Sequence, residues 1–338
     1  MILSALDLSP VTGDATQAEA VRQTLEIARA AERLGYHRLW LAEHHNISGL
    51  GSPAPEILIA ALTQATSTIR LGSGGVMLVN YSPLKVAEVF MELEALAPGR
   101  IDLGLGRALG ADARTGGALR SVGSDAFPQY FHLLTTWLLD ASGKAPIGEA
   151  HPLHDIHANP AGPSHPDVFV LCTSEESAAF AGQMGVGMVF AEFIARADGG
   201  PAVAAYRQAF QPSAFRAEPW AGIALIAYAA ETAERAWRED ALRRAANVSM
   251  LSGRRRRFRD LASADAFLAE HAGTPVLALV EGRTLAADAA AIHARLVEKA
   301  CEAQADEVFV MATGPSLEAR IRSLELIATA HSGGASRS

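Results

Sequence analysis

Leu39-Trp40-Leu41-Ala42-Glu43-His44-His45-Asn46 runs from a short apolar stretch straight into a carboxylate and two adjacent imidazoles. The apolar residues read as a β-strand, His37 to Ala42, and the polar ones as the loop that leaves its end. Strand ends that feed loops are where parallel α/β proteins keep their chemistry. An imidazole there exchanges a proton near neutral pH, which few side chains do unaided. Neighbouring side chains on an extended segment point opposite ways. One of His44 and His45 is therefore expected to face a pocket while the other packs or braces.

Working outward, short β-like runs alternate with amphipathic helices. A first strand, Ile2 to Leu8, precedes a helix with Val21, Leu25 and Ala28 at helical spacing that stops at Gly35. A helix from about Pro53 to Ala65, opened by proline, follows the His37 strand. Then come a strand Ile69 to Leu78, a helix carrying Val86, Val89, Phe90 and Leu93, and a strand Arg100 to Leu105. Residues 106–124 read as a long loop, 126–140 as a helix and 142–166 as irregular. Regularity returns with strands Val168 to Cys172, Val186 to Phe190, Ala221 to Ala229 and Glu307 to Met311. Between the last two lies a long helical excursion, 231–300. Eight strands, each followed by a helix, predict an α/β protein of the (β/α)8 TIM-barrel class. An open doubly wound sheet is the alternative. The expected organisation is one domain over 1–335, with variable segments 106–166 and 231–300.

Bulk properties narrow the function. The chain has 338 residues, 49% of them hydrophobic, enough for a large core. A formal charge of -8 excludes a nucleic-acid binder, since a phosphate backbone demands a basic face. Two distant cysteines, Cys172 and Cys301, make no disulfide framework and point to the cytoplasm. The amino-terminal residues lack the basic region of a signal peptide, and no apolar run is long enough to span a bilayer. Lysine occurs only at 85, 144 and 299, and with the abundant alanine this points to a GC-rich bacterial genome.

Other constellations divide into candidates and decoys. Gly72-Ser73-Gly74-Gly75 lies in a strand, where glycine either admits a close ligand or serves tight packing or a bulge. Gly104-Leu105-Gly106-Arg107-Ala108-Leu109-Gly110 imitates a dinucleotide fingerprint, but its third glycine is one residue late and no apolar helix follows. Arg107 remains as a cation at a strand end. Thr173-Ser174-Glu175-Glu176-Ser177 opens a helix, which is either a phosphate site with Arg107 as counter-charge or ordinary capping by Ser174. The two glutamates suit a helix start but repel a phosphate unless they point to solvent. His151, His154 and His157 lack a zinc spacing and read as an irregular loop, so no metal site is expected. The run Arg254 to Arg257 reads as a solvated face or turn, and no Gly-x-Ser-x-Gly elbow occurs.

Together these pieces resemble the bacterial luciferase-like flavin monooxygenases. The resemblance is carried by Leu39 to Asn46, Leu71-Gly72-Ser73-Gly74-Gly75-Val76-Met77-Leu78, Pro83 to Glu88, Gly99 to Arg107, Ala305 to Val308 and Arg322 to Leu326. It is dense over 1–120, patchy to 230, weak across 231–300, and returns to 330. It implies a barrel that binds reduced FMN at its C-terminal mouth and receives it from a separate flavin reductase, in keeping with the missing nicotinamide motif. It implies oxygenation of a small-molecule substrate by hydroxylation or epoxidation, and a homodimer. His44 matches the family's active-site histidine. Gly74 and Gly75 match a non-prolyl cis peptide beside the isoalloxazine. Arg107, Ser174 and Ser177 match positions that hold the flavin phosphate, with Thr173 beside them. Gly106 stands where true luciferases carry a reactive cysteine, which argues against an aldehyde-oxidising luciferase. An apolar natural-product intermediate of secondary metabolism is the expected substrate. The alternatives are a deazaflavin-dependent oxidoreductase on the same barrel and a non-catalytic flavin-binding subunit.

Overall fold

A computed structural model describes residues 1–195, 197–254 and 256–335. Its strands are β1 (Ile2–Asp7), β2 (Arg38–Leu41), β3 (Arg70–Met77), β4 (Ile101–Gly106), β5 (Asp167–Cys172), β6 (Gly187–Ala191), β7 (Ala221–Ala230), β8 (Leu285–Asp288) and β9 (Glu307–Ala312). Hydrogen bonds run in the order β6-β5-β4-β3-β2-β1-β9-β7, and β6 also pairs with β7. Every pairing is parallel, so eight strands close into a barrel with helices outside. The eight strands read from the sequence are the eight of the ring.

Two departures stand out. β8 lies in the segment read as wholly helical and pairs only with β7, through Ala227 to Ala230. Its four half-buried residues carry no alternation, so no strand pattern marks it. The segment read as a long loop contains a short helix, Ala113–Ala118, capped by Asp112 on the Thr115 N–H at 2.9 Å. Six residues with two glycines give no helical periodicity to read.

The strands alternate as a barrel requires. Leu39, Leu71, Leu103, Val168, Val170, Val308 and Val310 point outward into the main core beneath the helices. Leu6, Trp40, Phe169, Val189, Ala224 and Phe309 point inward and fill the interior. Trp40 meets Phe169 and Phe309 at ring-centroid distances of 5.0 and 4.5 Å. Its bulk explains the glycines opposite: a Cβ on Gly72 would lie 2.7 Å from Trp40 Nε1, and one on Gly74 3.1 Å from Trp40 Cβ.

Below Trp40 the interior is ionic. Arg38, almost fully buried, donates to Asp102 Oδ2 at 2.7 Å and to Glu307 Oε1 at 2.8 Å. Trp40 Nε1 also donates to Asp102 (2.9 Å), and Trp220 Nε1 to Glu307 (3.1 Å). Buried carboxylates are tolerable only with such partners.

The 231–300 excursion builds a small core of its own from Val248, Phe258, Phe267, Leu268, Leu277 and Val280. Arg257 joins it to the loop after β1 by donating to the carbonyls of Gly13 (2.7 Å) and Ala15 (3.0 Å). The arginine run is therefore only partly a solvated surface: Arg254 and Arg256 are exposed, Arg257 is pinned, and Arg255 lies outside the described residues. His157 pairs with Asp140 at 2.7 Å, and no three metal-binding side chains converge among the described residues. None of the described helices is long and apolar enough to cross a membrane.

Replacing Arg38 by methionine leaves Asp102 and Glu307 without their shared cation, and a loss of about 3–5 kcal/mol in urea-unfolding stability is expected. A loss below ~1 kcal/mol would show that the interior charges do not anchor the barrel.

Candidate active site

β2 ends at Leu41 and delivers Glu43, His44 and His45 to the C-terminal rim. His45 turns back, its Nε2 lying 2.8 Å from Glu43 Oε1. His44 does not: its Nδ1 is buried without a hydrogen-bond partner. Burial, with a smaller contribution from His45, pushes the His44 imidazole down to about 4. It is a neutral imidazole whose buried Nδ1 has no partner, and its low value makes it a weak base near neutral pH. His45 thus plays the bracing role expected of one of the two adjacent histidines.

Glu43 is fully buried and is the hub of this corner. Oε1 accepts from His45, from the Tyr81 hydroxyl at 2.9 Å and from Asn80 Nδ2 at 3.2 Å. Oε2 accepts from the Met77 N–H at 2.9 Å. Burial and the Glu43 charge push the Tyr81 hydroxyl up, so it stays a neutral donor. Glu56, half-buried on the next helix, is raised by burial and then by Glu43. Asn80 and Tyr81 escaped sequence reasoning; their one signal is a polar pair just beyond the third strand.

β3 bends at Gly74 and Gly75. The peptide between them is cis, as the resemblance implies, and the register to β4 slips between Gly74 and Val76. Close packing accounts for Gly72, where Asp102 and Trp40 fill the space, and for Gly74, where Leu6 and Trp40 do. Gly75 is tight for another reason: a Cβ there would lie 2.6 Å from the Gly104 carbonyl and 2.8 Å from Leu171 Cδ1. The bend sits between β4 and the inward side of β5.

Arg107 follows β4 directly. Its side chain is 51% exposed and lies 3.6 Å from Glu176, which is 82% exposed. This contact brings the guanidinium to the start of helix Glu175–Gln183. Ser174 caps that helix by accepting from the Ser177 N–H at 3.2 Å, and Ser177 Oγ accepts from the N–H groups of Thr173 and Ser174 at 3.3 Å. The structure shows the capping reading directly, and both glutamates of the segment are exposed, Glu176 being the one that meets Arg107. The loops are tied together, since His45 N–H donates to the Gly110 carbonyl at 3.0 Å and Asn46 to Thr115 at 3.1 Å.

Elsewhere around the mouth the inward residues are apolar. One inward step above Leu6, Phe169, Ala224 and Phe309 stand Leu8, Leu171, Ile226 and Met311. The first three are only half-buried. The site thus joins a neutral imidazole, a glycine bend, a cation beside helix N–H groups, and an apolar floor.

The sequence profile of the luciferase-like monooxygenases matches residues 1–307. A luciferase-like monooxygenase of Escherichia coli K12 is 43% identical over 235 residues, 68% of this chain and 67% of that protein. An N-acetyl-S-alkylcysteine monooxygenase of Bacillus subtilis is 40% identical over 195 residues, 57% of each chain. The solved structure of apo-MsnO8 superposes with a TM-score of 0.86 at 34% identity, covering 98% of both chains.

The His44 environment makes a pH prediction. The folded protein holds the imidazole below its ordinary value, so between pH 6.5 and 4 the unfolded chain binds more protons. Stability is complete above that window and falls as the pH drops through it. The wild type should lose about 2–3 kcal/mol more than His44→Gln across the window, by urea unfolding at a series of pH values. Equal losses would contradict a neutral buried imidazole.

Proposed function

The chain belongs to the luciferase-like monooxygenase family, and from that premise we propose that it binds reduced FMN, delivered by a separate flavin reductase, and uses dioxygen to hydroxylate or epoxidise an organic substrate. Membership makes it an oxygen-incorporating, flavin-dependent oxidoreductase. The choice of FMN and the two-component arrangement are our reading.

The observation that carries the reading is the position of Arg107 beside the Ser174–Ser177 helix start, on the rim that also holds the Gly74–Gly75 bend and His44. Arg107 with Thr173, Ser174 and Ser177 would hold a phosphate, their hydroxyls donating to it and the cap bonds that now use their N–H groups giving way. The backbone of Gly74 and Gly75 would seat the ring. A bound reduced flavin supplies the reactivity toward dioxygen. His44, a neutral imidazole on the same rim, would hold or pass a proton beside it. The floor of Leu8, Leu171, Ile226 and Met311 favours an apolar substrate, because it offers no partner to a buried charge. A homodimer, a cytoplasmic location and a role in secondary metabolism complete the proposal on the resemblance.

The phosphate assignment is tested by titrating FMN against riboflavin. Arg107→Ala should weaken FMN about tenfold or more and leave riboflavin unchanged, because only the phosphate uses the guanidinium. Glu176→Gln should tighten FMN by about twofold to fivefold, the range open to an exposed ion pair. Equal effects on both ligands would place the phosphate elsewhere, and tighter binding of a reduced deazaflavin than of reduced FMN would favour hydride transfer. With reduced FMN supplied chemically, His44→Ala should cut substrate oxygenation by about a hundredfold. Unchanged turnover would remove the histidine from the chemistry, and no turnover by the wild type with any reduced flavin would favour a binding subunit.

A further inference from the structure

We propose that Glu43 is a positioning residue for this reaction: its buried carboxylate clamps the glycine bend of β3 to the histidine-bearing loop of β2 and so fixes where the flavin ring sits relative to His44. The inference rests on the flavin reading above.

Burying a carboxylate is expensive, and a neutral side chain would serve if the need were only to link two loops. Glu43 is nonetheless fully buried, with three donors converging on it from the segment just after the bend and a fourth, His45, from its own loop. Met77, whose N–H it holds, lies two residues beyond Gly75. Asn80, whose amide it holds, also donates to the Leu109 carbonyl at 3.1 Å, which extends the clamp to the loop after β4. His45, which it holds, is the covalent neighbour of His44. One carboxylate therefore fixes the ends of β2 and β3 directly and that of β4 through Asn80.

The charge matters as well as the shape. A carboxylate offers acceptors on both oxygens. A glutamine in its place turns an N–H₂ group either toward the Met77 N–H or toward His45, Tyr81 and Asn80. Against the Met77 N–H donor then faces donor outright; on the other side Tyr81 and His45 must give up donating in order to accept, and Asn80 loses its acceptor, so the clamp weakens either way.

The experiment compares Glu43→Gln with the wild type in two states. In the flavin-free protein, hydrogen exchange at the Met77 amide should accelerate at least tenfold while β5 and β6 amides are unchanged. In the FMN-bound protein, the visible absorption and circular dichroism of the ring should change, and FMN and riboflavin should both weaken about tenfold. Arg107→Ala should weaken FMN alone and leave the ring's spectrum intact. If Glu43→Gln fails to fold, Tyr81→Phe removes one donor without removing the charge, and a smaller change in the same spectrum is expected. A folded Glu43→Gln with wild-type exchange at Met77, or either folded variant with a wild-type ring spectrum, would overturn the proposal. Failure of the wild type to bind FMN or riboflavin would overturn the flavin reading instead; the Met77 exchange still judges the clamp by itself.

Discussion

Arg38, held between Asp102 and Glu307 inside the barrel, is the interaction on which the rest depends. β2 is only four residues long, and its inward side chains are Arg38 and Trp40. The first joins β2 to β4 and β9 through charge, and the second fills the middle layer against Phe169 and Phe309. A short strand anchored at both inward positions cannot slip its register, because a slip of one residue would exchange its two faces. Its exit direction is fixed in turn, and Glu43 and His44 reach the rim at set positions. The glycines at 72 and 74 belong to the same constraint, since they give Trp40 its space.

Above that anchored interior the mouth divides by chemistry. The ends of β2, β3 and β4 carry the polar groups: a carboxylate with its donors filled, an imidazole with a nitrogen free, and a solvent-facing arginine beside a helix start. The strands β1, β5, β7 and β9 carry Leu8, Leu171, Ile226 and Met311. An amphiphilic cofactor with an anionic tail and a flat ring matches the polar side, and an apolar substrate matches the other. Burial does two things for His44: it keeps the imidazole neutral, and it leaves Nδ1 without a competing partner.

Much of this was legible in the sequence because it is written in local patterns. The ring strands are apolar runs between helices, and the Glu43-His44-His45 motif stands where one such run ends. The Thr173–Ser177 segment reads as a helix start, and the structure shows its capping meaning directly. What escaped reading depends on long-range pairing. β8 is four half-buried residues whose only strand signal is β7 itself. Three of the four partners of Glu43 come from a segment more than thirty residues away. Arg257 looked like one member of a charged run, and only folding brings it to the carbonyls of Gly13 and Ala15. The glycines of β3 could equally serve a ligand or a neighbour, and the neighbour, Trp40, is visible only across the ladder.

The most direct measurement is a crystal structure of the protein with FMN, reduced and kept free of oxygen. The account predicts the phosphate between the Arg107 guanidinium and the N–H groups of Ser174 to Ser177, with the ring against Gly74 and Gly75 and its reactive edge facing His44. A flavin seated at the N-terminal face, or one at the mouth with its phosphate away from Arg107 and its ring out of reach of His44, would contradict it.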